Sequence, residues 1–374
     1  MQSKSSKVKI LICGILPPPN FGHSMIYKML MASSFPEAFE TKFLNMKFWT
    51  YGTHKKVTFE KIFKMVKYYV IFVGILIVWR PKYVLYNSSF YRMPYLKDLL
   101  FCSTGILLGG KVVFHDLGQY VRELDDSLSG FKKSALRWML RKMGGSIIMG
   151  QKVRQDYEGL ADQKKIFVVP GTADDSKGIK VEVSKNPNEI NVLFFSNMSR
   201  LKGVYTAFEM VPMILKENRN IKVVFGGPLE DQEVKNRLEK LQMDYPGRVS
   251  YKGYVEDVVE RTKIFRQADI FIFPTIRDVF GLVLLHAMAE GLAIVASKEG
   301  TIPEIVPNNT NALLIGKEDA KDLADKVLLL AGDRHLREKM GQANRCRFEE
   351  MYTVEKYGNA MIKAFQQMED LYAR

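Results

Sequence analysis

The chain has 374 residues, too many for one ordinary domain and enough for two. Its composition, 47% hydrophobic and 26% charged with 27 glycines, is globular and excludes a disordered or fibrous protein. The net charge of +14 lies wholly within residues 1–150, and three widely spaced cysteines, Cys13, Cys102 and Cys346, exclude a disulfide framework or a CxxC centre and fit a reducing cytosol.

The chain opens MQSKSSKVKILICGILPPP. Lysines before a short apolar run mimic a leader, but PPPN stands where a small-residue cleavage site belongs, so 8–15 is predicted as a first buried strand. The loop ILPPPNFGHSM (15–25) follows it, in which Pro17, Pro18, Pro19 and Gly22 make a rigid turn open to close backbone approach. His54, Lys55 and Lys56 lead into a basic-aromatic stretch and an uncharged run from Tyr68 to Trp79, 12 residues and too short for a bilayer span of ~20. Further strands are expected at 41–45, 83–87, 111–115, 145–149 and 166–169. His115-Asp116 falls at a strand end within VVFHDLGQY (112–120), where it either faces a ligand or caps a turn.

FKKSALRWMLRKM (131–143) sets Lys132, Lys133, Arg137, Arg141 and Lys142 around Leu136, Trp138 and Leu140. Basic helices with aromatic boundaries lie in membrane interfaces. Together with the charge split, the two basic stretches point to an anionic membrane surface as a partner. Nucleic acid is not expected, because zinc-finger spacing, an RNP-like motif and a basic coiled coil are all missing. The alternative is a buried helix at 70–79 and a solvated helix with one core face at 131–143.

The polar stretch 174–189, with Gly178 and Pro187, is the linker candidate. Beyond it, strands are expected at 191–196, 222–227, 249–253, 269–274 and 293–297, and helices at 204–217, 231–243, 258–267 and 281–290, with helix from 320 to the end. Alternating strands and helices without an internal repeat predict two doubly wound α/β domains in series. In such sheets ligands bind beyond the carboxyl ends of the strands. There lie NMSRLKG with Asn197, Arg200 and Lys202, the turn at Gly227, Tyr254-Val255, TIRDVFG with Asp278, and KEGTIPE. Gly281 opens the helix GLVLLHAMAEG, whose N-terminus suits a phosphate that Lys202 and Arg200 would also neutralise. At ~100° per residue, Asp278 and His286 come ~80° apart on one side of that helix. The competing reading makes Asp278 an N-cap and His286 an ordinary helix histidine. The histidines show no metal-ligand spacing, and the chain holds no Asp-x-Asp, GxSxG, GxxxxGK[ST] or GxGxxG.

The run FFSNMSRLKGVYTAF…VVFGGPLED…VSYKGYV…ADIFIFPTIRDVFGLVLLHAMAEGLAIVAS…GTIPEIV…NALLI resembles glycosyltransferase family 4, the retaining enzymes of GT-B fold, strongly over about 190–350. The first half is similar more loosely, through PPPNFG, VVFHDLG and VVPGTADD (168–175). The resemblance implies two Rossmann-like doubly wound domains facing across a cleft: an acceptor domain at 1–175, a linker at 176–189 and a donor domain at 190–355. It also implies a final helix, 356–374, packing back on the first domain. Lys202 and the backbone of Gly281, Leu282 and Val283, beside Phe280, would meet the diphosphate. Tyr254 and Val255 would border the base near Gly227, Gly22 would close over the phosphates, and His115 would sit near the donor sugar. The family's Glu, seven residues, Glu pattern is Asp278 and His286 here, which would serve sugar and ribose. Its usual Arg is Asn197, with Arg200 as substitute, and Gly300-Thr301 stands for its GG.

No cofactor or metal is implied. The expected catalytic set is His115, Asp278 and Lys202. The resemblance implies a hexose moved from a UDP- or GDP-sugar to a saccharide or lipid-linked saccharide acceptor in envelope polysaccharide or lipopolysaccharide synthesis, by a cytoplasmic protein peripheral on the inner face of the plasma membrane. The alternatives are a nucleotide-binding partner with weakened catalysis and a nucleotide-sugar epimerase, with a dehydrogenase more distant.

Overall fold

A computed structural model describes residues 7–18, 20–48, 59–88, 90, 92–118 and 121–373. Pro19, His54, Lys55, Lys56, Gln119 and Tyr120 therefore lie outside the described residues. The chain divides into two compact units, Met1–Thr172 joined by Val354–Arg374, and Ala173–Thr353.

The first unit is built on a six-stranded parallel sheet of β1 (Lys9–Gly14), β2 (Glu40–Asn45), β3 (Tyr83–Ser88), β4 (Lys111–Asp116), β5 (Gly145–Ile148) and β6 (Ile166–Val168), in the order β2-β1-β3-β4-β5-β6. Ile10 to Cys13 are fully buried. A strand covered by helices on both faces buries every side chain, which is why ILIC is a continuous apolar run. The helix Val354–Ala373 completes this unit: Phe365 is fully buried and meets the rings of Phe35, Phe39 and Tyr83 at centroid distances of 5.5, 5.7 and 5.3 Å.

The apolar run at 68–79 belongs to a longer element than its uncharged residues suggest. The helix is Phe59–Trp79, 21 residues, because it continues backward through the lysine-bearing turns. By length and composition it is apolar enough to cross a membrane, with a mean hydropathy of 1.9, and only 11% of its most apolar window is buried. It is not a buried core helix. The helix Gly130–Lys142 buries Leu136, Met139 and Leu140 on one face and anchors Arg137 on Asp125 with two 2.8 Å hydrogen bonds.

The second unit repeats the plan with β7 (Ile190–Phe195), β8 (Ile221–Gly226), β9 (Val249–Tyr251), β10 (Ile270–Phe273), β11 (Ala293–Ser297) and β12 (Leu313–Ile315), all parallel, in the order β12-β11-β10-β7-β8-β9. Strand β12 was not anticipated: three residues within NALLI carry too little period to announce a strand. The polar stretch 174–189 is tied to this unit rather than running loose. Asp175 pairs with Arg345 at 3.0 Å, Asp174 lies 3.9 Å from Arg261, and Lys185 pairs with Asp269 at 3.0 Å. Arg266 also donates to the carbonyls of Ser176 and Ile179 at 2.9 and 2.8 Å.

Candidate functional site

In the second sheet the chain runs from β7 outward through β8 and β9, then returns to lay β10, β11 and β12 on the other side. The order reverses between β7 and β10, and a crevice opens at such a point beyond the carboxyl ends of the strands. Two loops border it, 196–203 after β7 and 274–281 after β10.

Backbone chemistry binds these loops together. The Ser199 hydroxyl accepts the Lys202 N–H at 3.3 Å and shapes a single 3₁₀ turn, Arg200–Lys202, that ends on Gly203 at φ 76°. A Cβ at Gly203 would lie 1.8 Å from the Pro274 carbonyl oxygen, so only glycine lets the loops approach this closely. The Leu201 carbonyl accepts from the amides of Ile276 and Arg277 at 2.9 and 3.1 Å and from the Thr275 hydroxyl at 3.0 Å. The loop after β11 joins them through Thr301, whose hydroxyl donates to the Val279 carbonyl at 2.6 Å.

The result is a charged pair at the mouth of a helix. Lys202 Nζ lies 2.5 Å from Asp278 Oδ2, and Asp278 Oδ1 accepts the Gly281 N–H at 3.1 Å. Gly281, at φ 65°, is the N-cap of the helix Leu282–Ala289. Helix N-termini present amides and the positive end of the dipole to an anion. Asp278 therefore both caps the turn and holds the lysine. It lies in the loop, outside the helix, so the helical angle between Asp278 and His286 does not apply: a left-handed glycine separates them.

Other expected residues divide according to where they fall. Gly227, at φ 122°, leaves no room for a Cβ, which would come 1.8 Å from the Ser196 carbonyl oxygen. Its own N–H donates to the Gly253 carbonyl at 2.8 Å, and the Tyr251 hydroxyl donates to its carbonyl at 2.8 Å. This packs the turn after β8 against the loop carrying the exposed Tyr254 and half-buried Val255. Asn197 and Arg200 are exposed, and Arg200 lies 3.7 Å from Glu318. Phe280 is corrected: its side chain is 3% exposed and packs toward the Tyr352 ring, so only its backbone faces the loop. Leu282 and Val283 are the first two residues of the helix.

His286 sits a turn further on, partly buried beside Phe265, with ring centroids 6.1 Å apart. Burial, followed by the neighbouring Arg261 guanidinium, pushes its pKa down to about 3, so the ring is neutral at pH 7. Arg261 and Phe265 were not anticipated as its neighbours. Their spacing of four on the helix Val258–Gln267, which puts both on one face, was the available signal.

Gly22 and His115 belong to the first unit. Gly22 is exposed and begins the helix Gly22–Ala32. His115, expected near the donor sugar, lies at the end of β4. It is 2% exposed, its Nδ1 lies 3.1 Å from the Tyr27 hydroxyl and its Nε2 lies 3.3 Å from the Tyr357 hydroxyl. Both nitrogens are thus engaged within the unit. Burial, and then the charge of His23, pushes its pKa down to about 3. Beside it, Asp116 accepts the Tyr157 hydroxyl at 2.7 Å and the Gly118 N–H at 2.9 Å, while burial pushes its carboxyl up to about 7. Among the described residues no group of three His, Cys, Asp or Glu side chains converges as a metal centre.

Residues 175–347 match the family model described as "Glycosyl transferases group 1". Curated relatives include sulfoquinovosyl transferase SQD2 of Arabidopsis thaliana, 30% identical over 38% of this chain and 28% of its own length. The capsular polysaccharide biosynthesis glycosyltransferase CapM of Staphylococcus aureus is 25% identical over 46% of this chain and 42% of its own. An N-acetyl-alpha-D-glucosaminyl L-malate synthase of Bacillus anthracis is 26% identical over 49% and 46%. The matched stretches span less than half the length of these relatives.

Among solved structures, Anabaena HepE in complex with UDP superposes with a TM-score of 0.71 at 12% identity, over 96% of this chain and 99% of that one. Sucrose-phosphate synthase of Thermosynechococcus elongatus gives 0.73 at 16%, over 98% and 100%. The fold is that of the GT-B glycosyltransferases, two parallel-sheet α/β domains.

Proposed function

We propose that the protein transfers a hexose from a UDP- or GDP-sugar to a saccharide acceptor carried on a lipid, with retention at the anomeric carbon and without a metal ion. The observation that carries this reading is the Lys202–Asp278 pair held at the N-terminus of the helix Leu282–Ala289, in the crevice between β7 and β10. The matched family model over the second unit and a solved neighbour titled as a UDP complex support the donor class. A capsular polysaccharide enzyme among the relatives supports the envelope setting.

In the proposed reaction the bond from the anomeric carbon to the diphosphate breaks. The acceptor oxygen bonds to that carbon from the same face, and its proton passes to the departing phosphate oxygen. The protein's share is positioning and charge. Lys202 has three N–H donors, so it can keep Asp278 and still meet the diphosphate. The helix amides at Leu282 and Val283 stabilise the same developing charge. Asp278 then orients sugar hydroxyls, and neutral His286 offers one hydrogen bond per ring nitrogen to the ribose.

The test is thermal stability of the purified protein against UDP-, GDP-, ADP- and dTDP-sugars. A donor at one hundred times its dissociation constant stabilises the fold by about 2.7 kcal/mol. A shift with one donor that Lys202→Ala abolishes is the expected result. His286 favours a second reading, a nucleotide-binding partner with weakened catalysis, because an imidazole cannot replace a bidentate carboxylate. A bound donor that is neither hydrolysed nor transferred would support that reading, and silence across the panel would overturn both.

A further inference from the structure

Among the described residues the outward face of the helix Phe59–Trp79 stays largely exposed, and its composition is that of a core. Its inner face is packed: Phe72, Leu76 and Trp79 are buried, the Phe72 and Tyr69 rings lie 5.2 and 5.4 Å from Phe101, and Trp79 Nε1 donates to Glu40 at 3.0 Å. The opposite face presents Phe59, Phe63, Val66, Val70, Gly74 and Ile77, spaced by three or four residues and so aligned in one stripe. Phe63, Val70 and Ile77 are 67%, 63% and 56% exposed.

A second helix widens the stripe. Arg92–Leu107 lies alongside, joined by a 2.8 Å hydrogen bond between the Tyr69 and Thr104 hydroxyls, and Leu96, Leu100 and Leu107 on one of its faces are exposed as well. Apolar surface this continuous marks an interaction site.

Its charge selects the occupant. Lys67 borders the N-terminal half of the stripe and is exposed, Lys64 lies further round the helix, and the only acid on the helix, Glu60, is paired with Lys64 at 2.5 Å. The C-terminal half, from Tyr68 to Trp79, holds no charge at all. We propose that this face lies flat in the interface of an anionic lipid bilayer, with the apolar stripe among the acyl chains and the lysines at the headgroups. The helix rises ~1.5 Å per residue and so is long enough to span. Spanning would tear Phe72, Leu76 and Trp79 from the core, and only three residues separate Trp79 from β3.

The docking is independent of the transfer reaction, and the test needs neither donor nor acceptor. The full chain is floated with vesicles of phosphatidylcholine alone or mixed with phosphatidylglycerol. Co-flotation with the mixed vesicles, weakened by salt, is expected. Phe63→Glu with Val70→Glu should lower vesicle partition by roughly tenfold or more while leaving the thermal midpoint in place, since both side chains are exposed. Phe63→Ser with Val70→Ser serves should the charged pair disturb folding, and Lys64→Gln with Lys67→Gln should remove the preference for phosphatidylglycerol. The proposal is overturned by a wild-type chain that stays below both vesicles, by flotation indifferent to the substitutions at 63 and 70, or by a solution dimer that those substitutions dissolve.

Discussion

Gly203 gives the sharpest test of how the β7 and β10 loops are held. At φ 76° an alanine there meets the ordinary left-handed penalty, about 1–2 kcal/mol. Gly247, at φ 72°, carries the same penalty, yet a Cβ there meets nothing within 4 Å. At Gly203 the added carbon would lie 1.8 Å from the Pro274 carbonyl oxygen, a rigid backbone atom, so the loops must part. Overpacking of this kind costs a further ~1–3 kcal/mol.

Gly247→Ala should therefore lose about 1–2 kcal/mol and Gly203→Ala about 2–5 kcal/mol. For a unit of this size each kcal/mol moves the midpoint by about 2–4 °C. Urea denaturation of both variants, followed by donor titration, provides the comparison. Gly203→Ala should also lose donor binding, since parting the loops pulls Lys202 from Asp278, whereas Gly247→Ala should bind as the wild type does. Equal destabilisation by the two substitutions, or a Gly203→Ala protein that still binds donor normally, would refute the close-approach argument.

Three further outcomes follow from the first unit. Burial lifts the folded Asp116 carboxyl from its ordinary 3.8 to about 7, so the folded state holds a proton that the unfolded state has lost, and this stabilisation fades as pH rises from about 4 to 7. Asp116→Asn lacks that loss, so its stability relative to wild type should climb between about pH 4 and 7 in urea melts, and a gap constant with pH would count against it. His115, held near 3, works in the opposite direction: the unfolded state takes up a proton that the folded state refuses, so stability falls as pH drops below about 6.5, and His115→Leu should flatten that fall while costing ~1–3 kcal/mol for the hydroxyls of Tyr27 and Tyr357. Phe365→Ala should cost ~3–5 kcal/mol by emptying the space between Phe35, Phe39 and Tyr83, and limited proteolysis should then cut the first unit before the second.

Eleven of the strands were legible, most of them because a buried parallel strand is written as an unbroken apolar run between polar turns, although β2 (ETKFLN) and β9 (VSY) are not such runs. The loops of the second unit were legible for a related reason, since their glycines and charged residues recur after each such run. What escaped depended on partners far along the chain. The ring of His115 is filled by hydroxyls 88 and 242 residues away, and no local pattern reveals that. Counting only uncharged residues shortened the helix Phe59–Trp79, because its lysines are compatible with helix. Asp278 looked like a choice between N-cap and ligand. The N-cap is Gly281, and the two oxygens of Asp278 let it close the turn onto the Gly281 amide and hold Lys202 at once.

The placement of the helix Val354–Ala373 bears on how the protein is made. The second unit, Ala173–Thr353, is contiguous and has everything it needs once residue 353 has left the ribosome. The first unit is translated earlier but stays incomplete, because Phe365 and Met368, both fully buried in it, emerge only after the whole of the second unit. Until then Phe35 and Phe39 lack their cover. The usual order, with the N-terminal domain finished first, is reversed. A nascent chain stalled before residue 354 would display a sticky, half-built sheet, and this waiting period is when a chaperone would engage it.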